Sequence, residues 1–543
     1  MSVSEQGFRN YVEIVLDGLA DGPDDVVLVS GERRIGAGEF RSLVYRLARA
    51  LRERGVGPGR TVTLLCGNLP ETIAVRYAVN LLGAHYNHLY NRLGVDVQAA
   101  MMADVDTFAL VVDPRLAGRA AELVRVVPPI EHVLRLGGDV DAEPDADVDA
   151  DGDADVDADA DPGWASASGE DLLALAAKQS GEPLASGASP QDLCFIRHSG
   201  GTTGHPKGVR STFGRMQAGI DGIRELFSGT GRRDLVCTPL SHAAGFIADS
   251  TLSAGGTVVL HYTFDPAEIL ATVARERITN TMLLPPLLYQ ILDHPDAEHA
   301  DLSSLRGITY GGTPSSPSRI AEAVRRLGPV LQQGYGQFEA GAVSFLTAAE
   351  HDPDRLDILR TSGRPVPGVE VEIRDEAGRV LPVGEVGEIC ARSGQVMEGY
   401  WKNPELTAQV LRDGWVLTGD LGRLDERGYL TVVDRIKDMI AVVGGHVYTT
   451  ELEDFLNTHP AVLQNAVYGV KGDGGHERVH TTVVTAAGTA VTADELRTWV
   501  REGRGEMYEP DHVHFTDTLP LTDAGKPDKK LLRLRASASG GSS

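Results

Sequence analysis

Short apolar runs alternate with helical patterns along most of this sequence, and that rhythm constrains the fold more than any other feature. TVTLLC, from Thr61 to Cys66, precedes PETIAVRYAVNLLGA, and GTVVLHY from Gly256 precedes DPAEILATVARE. A buried strand followed by a helix that carries the chain back is the repeating unit of an α/β protein. From about Val369 the pattern changes to short strands split by glycine turns: VEVEIRD, GEVGEICARS and GYLTVVDRIKDMIAVV. After Lys437, TTELEDFLNTH puts Leu452, Phe455 and Leu456 on one helical face, and AVLQNAVYGV and RVHTTVVTA read as strands. The expected fold is α/β. A large N-terminal domain with a small β-rich subdomain covers 1–436, a small mobile α+β C-terminal lid covers 437–535, and Ala536–Ser543 forms a flexible tail.

Composition narrows the function. The chain has 543 residues, 42% hydrophobic and 24% charged, which is ordinary globular usage and argues against a mostly disordered or fibrous chain. Its formal charge of −26 repels nucleic acid and anionic membrane surfaces, so neither is an expected partner. Of that charge, −12 comes from one tract, Asp139 to Asp161, in which every second residue is acidic. Alternation mimics a strand, but like charges separated by small residues bury too little surface, so a disordered insertion over 139–162 is expected. Cys66, Cys194, Cys237 and Cys390 contain no CxxC pair, suggesting neither a zinc site nor a disulfide framework. No basic, apolar leader opens the sequence, and no run reaches the roughly 18 apolar residues of a membrane span, so a cytoplasmic protein is expected.

The strongest local signal is Ser199-Gly-Gly-Thr-Thr-Gly-His-Pro-Lys-Gly208, directly after the apolar segment DLCFI. Gly200, Gly201 and Gly204 let backbone N–H groups turn toward an anion. Ser199, Thr202 and Thr203 add hydroxyl donors, and Lys207 adds a positive charge. Phosphate is the ligand this chemistry suits. It is not the Walker loop, because Gly-Lys-Ser/Thr is missing.

With this loop the chain resembles the adenylate-forming superfamily of acyl- and aryl-CoA ligases, peptide-synthetase adenylation domains and luciferases. Further segments follow in that family's order. Tyr310-Gly311-Gly312-Thr313-Pro314 resembles the adenine-side loop, and Gly334-Tyr335-Gly336-Gln337-Phe338-Glu339 resembles the segment whose glutamate helps hold magnesium. Thr418-Gly419-Asp420 resembles the turn whose aspartate binds the ribose hydroxyls, assisted by Arg435, and Lys437 falls at the hinge. Leu519 to Lys526 (LPLTDAGK) resembles the loop carrying the catalytic lysine. His242 falls where the family has a gate beside the acyl pocket, and Gly444-Gly445-His446 resembles the loop that helps form the thiol tunnel.

The resemblance implies two half-reactions. A carboxylate attacks the α-phosphorus of ATP and pyrophosphate leaves; the resulting acyl-adenylate then passes to a nucleophile, most often the thiol of coenzyme A, with a carrier protein or an amine as other acceptors. Lys526 would bridge the carboxylate and the α-phosphate, Glu339 would hold Mg²⁺, and Asp420 would accept from two ribose hydroxyls. Three positions depart from the family pattern. Phe338 stands where threonine is usual, His198 where a small hydroxyl residue is usual, and Thr449 where proline is frequent. They keep open adenylation of another oxyacid, such as nitrite, with transfer to an aryl amine. A non-catalytic nucleotide-binding scaffold is a different class, which the presence together of Lys526, Glu339 and Asp420 speaks against. Light emission shares the adenylation step.

Overall fold

The computed structural model describes residues 8–137, 169–199, 207–227, 231–442, 445–471, 477–486, 488–522 and 526–539. The acidic tract, the glycine-rich turn 200–206 and Gly444 lie outside them. The chain is mixed α/β, with a large N-terminal domain and a small C-terminal domain. By packing it forms two compact units: 1–282 with 300–305 and 394–409, and 283–299 with 306–393 and 410–543.

The first unit carries a seven-stranded sheet in the order Glu170–Asp171, His132–Arg135, Thr107–Val112, Thr61–Leu65, His85–His88, Leu193–Ser199, Lys207–Thr212. All neighbours are parallel except the last two strands. The predicted strand–helix rhythm appears here as Thr61–Leu65 followed by Pro70–Leu81, and as Thr257–Leu260 followed by Pro266–Glu276. Pro70 opens its helix at a position where the missing N–H costs nothing. That helix is buried at every residue, so its polar groups need internal partners. Arg76 pairs with Asp249 at 2.7 Å, Tyr77 Oη donates to the same carboxylate, and the Asn80 amide donates to the carbonyls of Ala84 and Cys194.

In the second unit, Gly307–Gly311 and Leu331–Gln337 are parallel, and Leu331–Gln337 turns back antiparallel into Gly341–Leu346. The predicted β-rich part is a five-stranded sheet built from Glu370–Arg374, Gly387–Arg392, Leu411–Arg412, Trp415–Leu424 and Leu430–Arg435. The C-terminal segment has its own three-stranded sheet of Val462–Lys471, Glu477–Thr485 and His512–Phe515. Strand alternation divides its side chains between two cores. Val467 packs with Leu452 and Leu456 of the helix Thr449–Leu456 and with Leu496 and Val500, while Ala466 and Tyr468 pack with Leu519 and Leu532.

One expectation about a boundary needs adjustment. The helix Lys529–Ser539 runs past Arg535, and Ala536 is buried beside Leu532, so a flexible tail does not begin at 536. The segment from 437 onward packs in the unit that also contains 283–299, 306–393 and 410–436. Asp434 binds Thr449, and Arg360 lies 3.7 Å from Asp454, so contacts within this unit cross the expected hinge. Among the described residues no helix is long and apolar enough to cross a membrane. All four cysteines are free and buried, and burial pushes the Cys194, Cys237 and Cys390 thiols up to about 12.

Candidate active site

Thr418, Gly419 and Asp420, expected as a turn, lie within the continuous strand Trp415–Leu424, where Gly419 takes a φ of +70°, a conformation that side-chain-bearing residues rarely adopt. Thr418 Oγ1 donates to the Ile389 carbonyl and accepts from the Asp420 N–H, which fixes the aspartate's direction. The Asp420 carboxylate is 5% exposed. Its Oδ2 accepts from Tyr335 Oη at 2.7 Å and from Gln337 Nε2 at 2.6 Å, while Arg435 Nε lies 3.2 Å from Oδ1. Asp420 and Arg435 are register partners across two antiparallel strands. A carboxylate offers about four lone-pair sites, so three protein donors leave acceptor capacity on Oδ1 for a ligand hydroxyl. Burial, reinforced by the Asp420 charge, pushes the Tyr335 phenol well up, which keeps it a donor.

Lys526 belongs to the same cluster. Its loop is closed by Thr522 N–H donating to the Lys526 carbonyl at 2.6 Å and Lys526 N–H donating to Thr522 Oγ1 at 3.2 Å. The ammonium feels Arg435, Asp420 and Lys437, and burial, with the two cations adding to it, pulls its pKa down to about 8. Near neutral pH it is still mostly charged. The charge is present below pH 8 and lost above it, so a step that needs the cation should slow about tenfold per pH unit well above pH 8. A pyrophosphate-exchange profile from pH 6 to 10 reads this, and Lys437→Gln should move the alkaline limb upward.

The other expected nucleotide residues of this unit lie at strand ends, where ligands of α/β sheets bind. Gly311 ends its strand beside Gly334, so closely that a Cβ would meet the Gly334 carbonyl at 2.2 Å. Thr313 Oγ1 is buried with no hydrogen-bond partner among the described residues, an unused polar group that suits a polar ligand. Gly336 lies in the strand Leu331–Gln337, and Phe338 and Glu339 form the turn that follows, both half-buried. No group of three metal-ligating side chains occurs among the described residues. Mg²⁺ is commonly held by one or two carboxylates together with substrate phosphates, and the single Glu339 fits that mode. Gly445 starts the short strand Gly445–Val447.

In the first unit, Ser199 and Lys207 are register partners at the ends of the strands that flank the glycine-rich turn; Gly200, Gly201, Thr202, Thr203 and Gly204 fall outside the described residues. Lys207 Nζ stands 5.8 Å from the Tyr400 ring centre. The unusual His198 is almost fully buried, with Nδ1 3.2 Å from Asn87 Oδ1 and Nε2 3.1 Å from Asp104 Oδ2. A small hydroxyl residue could not span both partners. His242 precedes the helix Ala243–Ser253 at its N-cap position without a side-chain capping bond, and its Nδ1 bonds the Tyr90 hydroxyl, with ring centres 4.0 Å apart. Tyr90 carries no motif, and nothing in the sequence marks it as His242's partner.

Asp434 carries no signal in the sequence, although it adjoins Arg435, and Thr449 stands out there only as a departure from the family pattern. The Asp434 carboxylate accepts from the N–H groups of Arg435 and Thr449 and from Thr449 Oγ1. Burial pushes its pKa up to about 6, opposed by the nearby Lys529 charge.

A family model described as AMP-binding enzyme matches residues 17–401, and one described as AMP-binding enzyme C-terminal domain matches 451–526. A medium/long-chain fatty acid–CoA ligase of Mycobacterium tuberculosis is 36% identical over 94% of this chain and 87% of its own length. A feruloyl-CoA synthase of an Amycolatopsis species is 34% identical over 92% of this chain and 93% of its own. Among solved structures, an amide bond synthetase of Marinactinospora thermotolerans superposes with a TM-score of 0.85 at 38% identity, covering 97% of this chain and 99% of the other.

Proposed function

We propose that this chain, which belongs to the AMP-binding enzyme family of the adenylate-forming superfamily, activates a carboxylic acid as its acyl-adenylate and transfers the acyl group to the thiol of coenzyme A. The observation that carries the first half-reaction is the grouping of Lys526 with Asp420 and Arg435. Asp420 Oδ1 accepts a ribose hydroxyl, held in place by Arg435, Tyr335 and Gln337. As the carboxylate attacks the α-phosphorus, negative charge grows on the nonbridging oxygens, and the ammonium of Lys526 meets it there. Lys207 and the donors of the loop after Ser199 hold the departing phosphates. Mg²⁺, bound through Glu339, would neutralise phosphate oxygens. His242 borders the acid. In the second half-reaction the segment beyond Lys437 turns, removing Lys526 and admitting the thiol beside Gly444 and Gly445. Three of the curated relatives are named as CoA ligases or synthases, which supports the thiol acceptor.

A second reading shares the first half-reaction and ends on an amine. It is favoured by the amide bond synthetase, which at 38% identity is as similar as the CoA ligases named above. Exchange of labelled pyrophosphate into ATP across a panel of aryl and alkyl acids tests the activation step. Mass analysis of products with CoA and with amines then tests the acceptor: an acyl-CoA upholds the proposal, whereas amide alone replaces it with the second reading. ATP binding without exchange on any acid would overturn both.

A further inference from the structure

Thr449 stands where the family frequently has proline, and the structure gives that departure a use. Its N–H and its Oγ1 both donate to the Asp434 carboxylate, and proline has neither group. Thr449 Oγ1 also accepts from Lys529 Nζ at 3.0 Å, and the same ammonium lies 2.8 Å from Glu453 Oε1. Glu453 Oε1 in turn accepts the Val467 N–H at 2.8 Å, tying the chain of bonds to the edge strand Val462–Lys471 of the C-terminal sheet. Its two ends have functional neighbours. Asp434 is adjacent to Arg435, the partner of Asp420, and Lys529 is three residues beyond Lys526. Thr449 and Lys529 follow the hinge position Lys437, whereas Asp434 precedes it, so these bonds link the two sides of the hinge.

Resting on the proposed adenylation, we propose that Thr449, Asp434 and Lys529 are positioning residues that hold the Lys526 loop against Asp420 and Arg435 for the first half-reaction. The network is 0–5% exposed at Thr449 and Asp434, so its hydrogen bonds face little competition from water. Turning the C-terminal segment would break the Asp434–Thr449 bonds. The network therefore favours the arrangement in which Lys526 faces the nucleotide, and weakening it should separate the two half-reactions.

The test compares Thr449→Pro, Thr449→Ser and Lys529→Gln in the full-length protein. Thr449→Pro should lower the pyrophosphate-exchange kcat about tenfold, with the KM for MgATP changed less than threefold. Transfer from chemically prepared acyl-adenylate should be unslowed. Thr449→Ser, which retains both donors, should restore exchange, and Lys529→Gln covers the case in which the proline variant fails to fold. A second readout needs no acid substrate: competitive acylation of Lys526 across pH, followed by mass spectrometry of its peptide. In the Thr449→Pro and Lys529→Gln variants, the pH at which Lys526 becomes reactive should move upward as the lysine leaves the company of Arg435 and Lys437. Equal slowing of both half-reactions, or an unmoved Lys526 labelling profile, would overturn the positioning role. Absence of exchange on any acid in the parent protein would sink the adenylation reading, while the labelling result still decides whether the network positions Lys526.

Discussion

Lys526→Ala is expected to reduce the first half-reaction by at least 10²–10³-fold, measured as pyrophosphate exchange, while MgATP still binds within a few-fold of the parent. The size follows from the role: a preorganised cation aimed at charge that develops in the transition state is worth about 3–4 kcal/mol, by analogy with removal of an oxyanion donor. The ground-state nucleotide gains less from the same ammonium, because the charge that it meets develops only as the new bond forms. Transfer from preformed acyl-adenylate should survive in this variant, since the proposed cycle withdraws the lysine for that step. If exchange continued at the parent rate, the assignment of Lys526 would be wrong.

Asp420→Ala should weaken MgATP binding on the order of 10–100-fold and also lower stability. Hydrogen bonds to a charged group contribute about 1.5–3 kcal/mol, which is the loss expected for a ribose hydroxyl deprived of its acceptor. The stability loss has a separate origin. Removing the carboxylate leaves the Tyr335 hydroxyl and the Gln337 amide without the acceptor they share, at about 1–3 kcal/mol for each donor left buried and unsatisfied. Tyr335→Phe tells the two effects apart: it removes one donor to Asp420 and leaves the carboxylate, so it should change MgATP affinity much less. Equilibrium dialysis with MgATP and a thermal midpoint for each variant measure both quantities. An Asp420→Ala protein that binds ATP like the parent would exclude the ribose role.

The segments that make up the candidate site stand out in the sequence by their resemblance to a family. Thr418-Gly419-Asp420 could be read because it resembles a family segment, and the structure adds that Gly419 takes a positive φ directly before the carboxylate. The helix Thr449–Leu456 was legible through its spacing, with Leu452 and Leu456 in the core and Phe455 packed against it. Tyr90 beside His242 was not legible, nor was Asp434 beside Thr449, because these pairs form between segments whose separation in sequence carries no periodic or motif signal. The departures at His198 and Thr449 were visible as departures, yet their meaning was hidden. His198 makes sense only once Asn87 and Asp104 are on either side of it.

The sequence by itself determined the α/β class, through a periodicity that neighbouring residues share, and it carried the ordered segments and charged residues by which the chain resembles its family. The tertiary structure decided which of those residues share an environment. Asp420 is held by donors 83 and 85 positions away, and Lys526 has its pKa drawn down to about 8 by burial beside Arg435 and Lys437. The physical reason is that desolvation and Coulomb interaction depend on distance through the folded protein, and no local pattern encodes that distance.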